Sequence, residues 1–177
     1  DTQGRILSGQ TLEAVLASIT GHKILSVGLN CSFGARDMKP FLKRLSDIAP
    51  YYVSVYPNAG LPNALGEYDQ SPQEMAVIVK EYVQEGLVNV IGGCCGTTDE
   101  FIALFPPMVE GVQPRRPKET PQEMWLSGLE RLAVNPAMNF INVGERCNVA
   151  GSRKLLRLIN EKNYTEALTI ARKQVED

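Results

Sequence analysis

Three apolar, β-rich runs alternate with segments of helical periodicity in the first two thirds of the chain. The runs cover residues 23–30, 51–57 and 87–93. Between them, apolar residues recur every three or four positions, which is typical of amphipathic helices. Such alternation predicts βαβ units, in which right-handed crossovers join parallel strands and helices cover the sheet. The strands are apolar on both sides, which suits a parallel sheet or a barrel.

Glycine, proline and capping residues predict where these helices begin and end. A first helix should end near Gly21, and a second should run from Asp37 to Ala49. The sequence "SPQE" (71–74) predicts an N-cap, a proline in the first turn and a capping box for the third helix. A fourth helix should begin at Asp99, and Pro106 should end or kink it.

The alternation breaks after this fourth helix. The sequence "QPRRPKETPQ" (113–122) is rich in proline and charge, which predicts a linker. We therefore expect three parts: a first unit over residues 1–114, a linker over 115–137 and the beginning of a second α/β unit over 138–177.

The second unit should open with a strand. The run "NFINV" (139–143) is followed by a polar loop, and Ser152 can cap a helix that begins at Arg153. A further helix is predicted by an apolar stripe at helical spacing. That stripe consists of Tyr164, Leu168, Ala171 and Val175.

Composition narrows the classes of function. The chain is 44% hydrophobic and 21% charged, with a net charge of −2, which gives no attraction to nucleic acid or to an anionic membrane. It has no apolar run of membrane-spanning length and no signal-peptide pattern at its beginning. We therefore expect a cytoplasmic protein with no nucleic-acid or membrane partner. Its four cysteines then indicate metal ligands or reactive thiols rather than a disulfide framework.

Three of these cysteines follow predicted strands. Cys31 comes directly after the first strand, and Cys94 and Cys95 come after the third. The carboxyl ends of parallel strands share one face, and strands two apart are separated by about 10 Å. Thiols leaning inward could therefore meet on one ion. Sulfur ligands favour zinc, and three protein ligands leave a fourth position for a substrate thiol.

Two other interpretations of the cysteines stay open. Cysteine is often a small buried hydrophobic residue, and adjacent thiols can also serve redox chemistry. The 63-residue spacing between Cys31 and Cys94 fits no short zinc-finger template. Three glycines would allow both adjacent cysteines to face one ion, because glycine lets the backbone bend. These are Gly92, Gly93 and Gly96.

Two polar loops are candidate ligand sites. In "YPNAGLPN" (56–63), the amides of Asn58 and Asn63 could bind a polar substrate, although a simple proline–glycine turn explains the loop equally. In "GERCNVAGS", Glu145 and Asn148 could bind a ligand, or the loop could only lead into the capped helix.

These motifs resemble known sequences. "GLNCSFGA", "YPNAGLPNALGEYD" and "GGCCGTT" are similar to motifs of the homocysteine S-methyltransferase family, and "NVGERCNVAGS" is similar to the opening of the pterin-binding methyltransferase domain. Their order resembles that in the family of cobalamin-dependent methionine synthases. Homocysteine methyltransferases that use betaine share only the first set of motifs.

The resemblance implies an α/β fold composed of parts of two (β/α)8 TIM barrels joined by a short linker. A TIM barrel needs about 250 residues, so neither barrel is expected to be complete within 177 residues. The implied reaction carries a methyl group from 5-methyltetrahydrofolate through cobalamin to zinc-bound homocysteine, forming methionine. A separate domain of the same parent chain would bind cobalamin. The alternatives are another methyl donor, such as betaine, or a non-catalytic scaffold with structural zinc.

The resemblance also assigns residues. The implied zinc ligands are Cys31, Cys94 and Cys95. Asn58 would lie on the homocysteine side, and Glu145 and Asn148 on the pterin side. No catalytic residue is implied beyond the metal ligands.

Overall fold

The structure is a computed structural model that describes residues 3–120, 122–141 and 147–176. Its internal contacts divide the chain into two units, Asp1–Val134 and Asn135–Asp177.

A parallel sheet lies at the centre of the first unit. Its strands, as far as this unit is described, are β1 (Ser26–Gly34), β2 (Tyr52–Asn58) and β3 (Val90–Ile91). β2 lies in the middle and pairs in parallel with both neighbours. The predicted α/β class with parallel strands is therefore confirmed. β3 is shorter than the seven-residue apolar run that predicts it.

Five helices accompany this sheet within the described residues of the first unit. They are α1 (Leu12–Ile19), α2 (Ala35–Ile48), α3 (Pro72–Gln84), α4 (Asp99–Ala103) and α5 (Pro106–Val109). α2 begins two residues before the predicted position, and α5 begins at the proline expected to end or kink the fourth helix. Across the described residues of the whole chain, no helix combines the length and the apolar character needed to cross a membrane.

The beginning of α3 has the predicted capping box. The Ser71 hydroxyl accepts a hydrogen bond from the Glu74 backbone N–H at 3.3 Å, and the Glu74 carboxylate accepts one from the Ser71 backbone N–H at 2.8 Å. This second bond holds the pKa of Glu74 below its usual value. Both bonds satisfy backbone donors that a helix start leaves without an intrahelical partner.

The hydrophobic core lies where the helices cover one face of the sheet. β2 turns alternate residues into it, and α2 and α3 supply most of the rest. Each such side chain stabilises the fold by about 1.5–3 kcal/mol when fully buried. Its largest fully buried members are Leu16, Met38, Leu42, Leu45, Val53, Val55, Met75, Val79 and Tyr82. The Tyr82 hydroxyl donates a hydrogen bond to the Ala35 carbonyl, which ties α3 to α2.

Arg115 fastens the segment after α5 to the amino ends of the strands. Its guanidinium donates hydrogen bonds to the Ser46 hydroxyl and carbonyl and to the carbonyls of Ala49 and Tyr51, at 2.6–2.8 Å. The Asn89 side chain donates to the Arg115 carbonyl at 2.6 Å and accepts from a backbone N–H of β2 at 3.0 Å. A residue within the predicted linker is thus bound tightly to the sheet.

An antiparallel hairpin follows, formed by β4 (Met124–Ser127) and β5 (Arg131–Val134). The Ser127 hydroxyl donates a hydrogen bond to the Ala14 carbonyl of α1 at 2.7 Å. The Arg131 guanidinium lies over the Trp125 ring, 4.5 Å from its centroid. This hairpin was not predicted, because its short strands lie in the segment interpreted as a linker.

The described part of the second unit contains two helices, α6 (Arg153–Asn160) and α7 (Tyr164–Glu176). Ser152 caps α6 as predicted, because its hydroxyl accepts a hydrogen bond from the Leu155 backbone N–H at 3.2 Å. Of the predicted strand over 139–143, residues 139–141 form no strand and the other two lie outside the described residues.

The two helices pack on each other through a small apolar cluster. Its members are Leu155, Leu158, Ala167 and Ile170. The predicted stripe of α7 is therefore wrong at two positions, since Tyr164 and Leu168 are exposed. The physical reason is that α6 covers only the α7 face that presents Ala167 and Ile170.

Candidate metal centre

Three cysteine side chains meet at the carboxyl ends of the strands. The sulfur atoms of Cys31 and Cys95 lie 3.6 Å apart, and those of Cys94 and Cys95 lie 3.8 Å apart. All three sulfurs lie within 4.8 Å of one another, and no other such group of metal-ligating side chains occurs among the described residues. We call these three residues the thiol cluster. Cys147 is exposed and lies outside it.

The spacing of the thiol cluster fits a tetrahedral metal ion. Zinc–sulfur bonds of about 2.3 Å in tetrahedral geometry separate two sulfur ligands by about 3.8 Å. The two sulfur–sulfur distances of 3.6 and 3.8 Å lie close to this value. The three cysteines are free thiols and only half-buried, which disfavours the interpretation as inert core residues. The donor set can therefore hold a thiophilic metal ion and leave a coordination position open.

A bulge in β1 turns Cys31 toward the cluster. From Asn30 to Gly34, β1 contains two more residues than the stretch of β2 opposite. Cys31 and Ser32 both have left-handed backbone conformations, with φ of 62° and 68°. This conformation costs about 1–2 kcal/mol per residue outside glycine. Bulges redirect side chains near functional sites, and here the strand continues through Cys31 rather than ending before it.

The glycines around the adjacent cysteines have two different roles. Gly96 has a φ of +76°, so it supplies the left-handed turn that follows the two cysteines. Gly92 and Gly93 have no such conformation. A Cβ atom at Gly92 would overlap the Tyr56 ring, and one at Gly93 would overlap the Thr97 side chain. Close packing, rather than bending, therefore requires those two glycines.

Asn58 connects the end of β2 to the thiol cluster. Its side chain is almost fully buried, and its carbonyl oxygen accepts a hydrogen bond from the Cys95 backbone N–H at 3.2 Å. In addition, the Cys94 backbone N–H donates to the Pro57 carbonyl at 2.9 Å. The sequence-predicted residue Asn58 thus lies between the thiols, and it fixes the loop that carries two of them.

The thiols differ in how easily they ionise. The pKa of Cys31 is lowered, first by a hydrogen bond from the Ser32 backbone N–H and then by its hydrogen bond with the Cys95 side chain. Burial raises the pKa of Cys94. The pKa of Tyr68 is raised, first by its hydrogen bond to the Cys95 side chain. Negative charge is therefore favoured at Cys31 over Cys94.

The candidate residues Asn63 and Asn148 serve their own loops. Asn63 accepts hydrogen bonds from the backbone N–H groups of Leu65 and Glu67, and it donates to the Asp69 carboxylate. This is the turn that the alternative interpretation predicts. Asn148 is exposed and accepts a hydrogen bond from the Ala150 backbone N–H at 3.0 Å. Glu145 lies outside the described residues.

Sequence reasoning missed two residues that contact the cluster. The Ser32 backbone N–H helps to lower the pKa of Cys31, and Tyr68 packs against Gly96, the residue after Cys95. Tyr68 lies in the motif "YPNAGLPNALGEYD", but only the folded loop brings it against Gly96. A cavity of about 390 Å³ also opens beside Cys31. Its lining includes Asn30, Ser32, Phe33, Met38 and Phe41.

The fold is α/β, and three thiols meet at the carboxyl ends of its parallel strands. These two features define a candidate metalloprotein with thiolate ligands. The family can be stated more closely. The family model for homocysteine S-methyltransferase matches residues 1–106, which is more than half of the chain. The chain therefore belongs to the homocysteine S-methyltransferase family, whose substrate is homocysteine and whose activity is methyl transfer. The thiol cluster and Asn58 all fall within the matched residues.

Proposed function

We propose that the thiol cluster binds zinc and that homocysteine is methylated on its sulfur at this zinc. The single observation that carries this proposal is the sulfur–sulfur spacing of 3.6 and 3.8 Å, at which three thiolates can share one tetrahedral ion. Membership of the homocysteine S-methyltransferase family supports the choice of substrate. In this proposal Cys31, Cys94 and Cys95 are the zinc ligands.

The chain's own residues prepare the site for a substrate thiol. The three cysteines leave one tetrahedral position for the homocysteine sulfur, and Asn58 holds the Cys95 backbone in place on the homocysteine side. The cavity beside Cys31 gives the substrate room to approach. When bound, zinc supplies Lewis acidity that lowers the pKa of a thiol ligand, so that the sulfur is a nucleophile near neutral pH.

For the methyl donor, we propose 5-methyltetrahydrofolate acting through cobalamin. The motif "NVGERCNVAGS" after the matched region supports this donor, because it resembles the opening of a pterin-binding domain. The chain would then be part of a cytoplasmic cobalamin-dependent methionine synthase and contain parts of two TIM barrels. Glu145 and Asn148 would contact the pterin, and another domain of the parent protein would hold cobalamin.

The experiment compares two cysteine substitutions in the intact parent enzyme. Cys94→Ser should abolish zinc retention and homocysteine methylation, while methyl transfer from 5-methyltetrahydrofolate to cobalamin should continue. Cys147→Ser is the matched control, because this cysteine is exposed and outside the cluster. It should keep zinc and both reactions. Full zinc content in Cys94→Ser, measured by metal analysis, would overturn the ligand assignment.

The zinc-loaded parent enzyme also distinguishes the proposed function from a structural zinc scaffold and from a betaine-dependent enzyme. A scaffold with a closed structural zinc shell should show no change at the metal when homocysteine is added. When Co²⁺ replaces zinc in the proposed enzyme, the homocysteine sulfur should bind the Co²⁺ ion at the thiol cluster and change its absorption spectrum. An enzyme using betaine would methylate homocysteine without cobalamin, which would overturn the proposed donor and leave the zinc site intact.

A further inference from the structure

The two adjacent cysteines are hydrogen-bonded at every backbone polar group. The Cys94 N–H donates to the Pro57 carbonyl at 2.9 Å, and the Cys95 N–H donates to the Asn58 side chain at 3.2 Å. The Cys95 carbonyl accepts a hydrogen bond from the Ala59 N–H at 2.9 Å. Three of the four groups are therefore bonded to residues 57–59 at the carboxyl end of β2, and the Cys94 carbonyl is the group that is not.

Thr97 holds the Cys94 carbonyl with two donors. Its backbone N–H donates to that oxygen at 3.1 Å, which closes a four-residue turn from Cys94 to Thr97. Its hydroxyl donates to the same oxygen at 2.6 Å. Gly96 is the third residue of this turn, and its φ of +76° is what a type II turn requires at that position. The turn thus fixes the backbone from which both cysteine side chains extend.

The Thr97 side chain also lies against the glycine that precedes the two cysteines. A Cβ atom at Gly93 would come within 2.4–2.7 Å of the hydroxyl oxygen, the Cβ and the methyl carbon of Thr97. The neighbouring Thr98 differs, because it is exposed and its side chain forms no capping hydrogen bond at the start of α4. Of the two threonines in "GGCCGTT", only Thr97 therefore has a side chain that closes the cysteine turn.

We propose that Thr97 is a positioning residue, whose hydroxyl holds the turn in the conformation that metal binding requires. The sulfur atoms of Cys94 and Cys95 lie 3.8 Å apart, which is the separation that a tetrahedral zinc ion needs. Since both side chains extend from one turn, a change in its backbone dihedral angles alters this separation. The inference rests on the metal site proposed above, and it adds a residue that acts on the metal through the backbone of two ligands.

The test compares Thr97→Ala with Thr97→Ser in the full chain, because these two variants differ only by the hydroxyl. Thr98→Ala is the matched control. Zinc affinity is measured by competition with a chromophoric chelator, at a temperature well below the melting transition of each variant. Thr97→Ala should weaken zinc binding by about 10- to 100-fold, as is typical when a group that supports a metal ligand is lost. Thr97→Ser and Thr98→Ala should bind zinc as the wild type does.

The melting temperature of the metal-free variants distinguishes positioning from packing. Thr97→Ala and Thr97→Ser both lose the methyl group beside Gly93, so both should melt below the wild type. A folded chain that is only less stable binds zinc with unchanged affinity well below its transition, so stability alone cannot produce the expected difference between these variants. Where Thr97→Ala does not fold, Thr97→Val replaces it, since valine also lacks the hydroxyl but keeps that methyl group.

Two contrary outcomes have different meanings. A wild-type chain that binds no zinc would overturn the proposed function, and this inference with it. Zinc binding by the wild type, with equal affinity in the variants that lack the hydroxyl and in Thr97→Ser, would overturn this inference alone and leave the zinc site in place.

Discussion

The two ends of the parallel strands are built in different ways. At the carboxyl ends, β1 contains two left-handed residues, and the thiol cluster is only half-buried. At the amino ends, the Arg115 side chain is buried and its hydrogen bonds are directed to carbonyl and hydroxyl groups at the end of α2 and just before β2. The same strands therefore carry backbone strain and reactive groups at one end, and satisfied hydrogen bonds at the other.

This difference separates stability from chemistry along one short sheet. Left-handed residues cost about 1–2 kcal/mol each, and they persist where the surrounding structure determines them. A hydrogen bond that involves a charged group contributes about 1.5–3 kcal/mol to stability. In α/β barrels, the carboxyl face carries the active site and the opposite face serves stability. Substitutions at the two ends should therefore have different consequences for folding and for metal binding.

The largest effect is expected from Gly96→Ala at the carboxyl ends. Alanine would have to adopt a φ of +76° and would overlap Tyr68, so conformational strain and overpacking add together. We expect a loss of about 2–5 kcal/mol in the free energy of unfolding and a strong loss of zinc affinity. Urea denaturation and zinc titration measure these two quantities.

Gly21→Ala is the matched control near the amino end of β1. Gly21 also has a left-handed φ, of +99°, but nothing lies within 4 Å of an added Cβ atom. Its cost should be limited to strain, about 1–2 kcal/mol, with zinc affinity unchanged. Equal losses of stability in the two variants would show that contact with Tyr68 contributes nothing at Gly96.

An intermediate effect is expected from Arg115→Ala at the amino ends. This substitution removes hydrogen bonds to Ser46, Ala49 and Tyr51, but it also removes the cost of burying the guanidinium charge. We therefore expect a net loss of about 3 kcal/mol in the free energy of unfolding. Zinc affinity measured well below the unfolding transition should not change. Arg116→Ala is the control, because its side chain is exposed and its loss should cost less than about 0.5 kcal/mol. A parallel loss of zinc affinity in Arg115→Ala would break the proposed separation of the two ends.

Part of this arrangement could be predicted from local sequence patterns. The alternating apolar runs predicted the parallel strands. The "YPNAGLPN" loop was predicted to lie between the two thiol-bearing strand ends, and the observed strand order, with β2 in the centre, agrees with this. The sequence also indicated that Cys31, Cys94 and Cys95 could meet, because each was predicted to follow a strand, although β1 continues through Cys31. The capping box at Ser71 and the cap at Ser152 were also predicted, since both depend on residues adjacent in sequence.

Features that depend on distant contacts were not predictable in this way. The bulge at Cys31 is visible only in its pairing with β2, and the role of Arg115 depends on carbonyl groups more than 60 residues away. Tyr68 is brought against Gly96, the residue after Cys95, by the folded loop. In the second unit, spacing identified α7, but only packing against α6 decided which side of it is buried.

The smallest expected effect tests the strain at the thiol-bearing end with Ser32→Gly. Ser32 has a φ of 68°, which glycine adopts without the cost of about 1–2 kcal/mol that other residues incur. Glycine also increases the conformational entropy of the unfolded chain, which offsets about 0.5–1 kcal/mol of that gain. We therefore expect the free energy of unfolding of the metal-free chain to rise by about 0.5–1 kcal/mol. Urea denaturation measures this change.

Ser26→Gly provides the comparison at the other end of the same strand. Ser26 does not have a left-handed conformation, so glycine relieves no strain there and should lower stability by about 0.5–1 kcal/mol. Opposite signs at the two positions would show that the carboxyl end of β1 stores conformational strain. Zinc affinity should be similar in both variants, because glycine at position 32 retains the backbone N–H that bonds the Cys31 sulfur. Loss of stability at both positions would mean that the bulge is not strained, and that the metal-free thiol cluster is held in place without that cost.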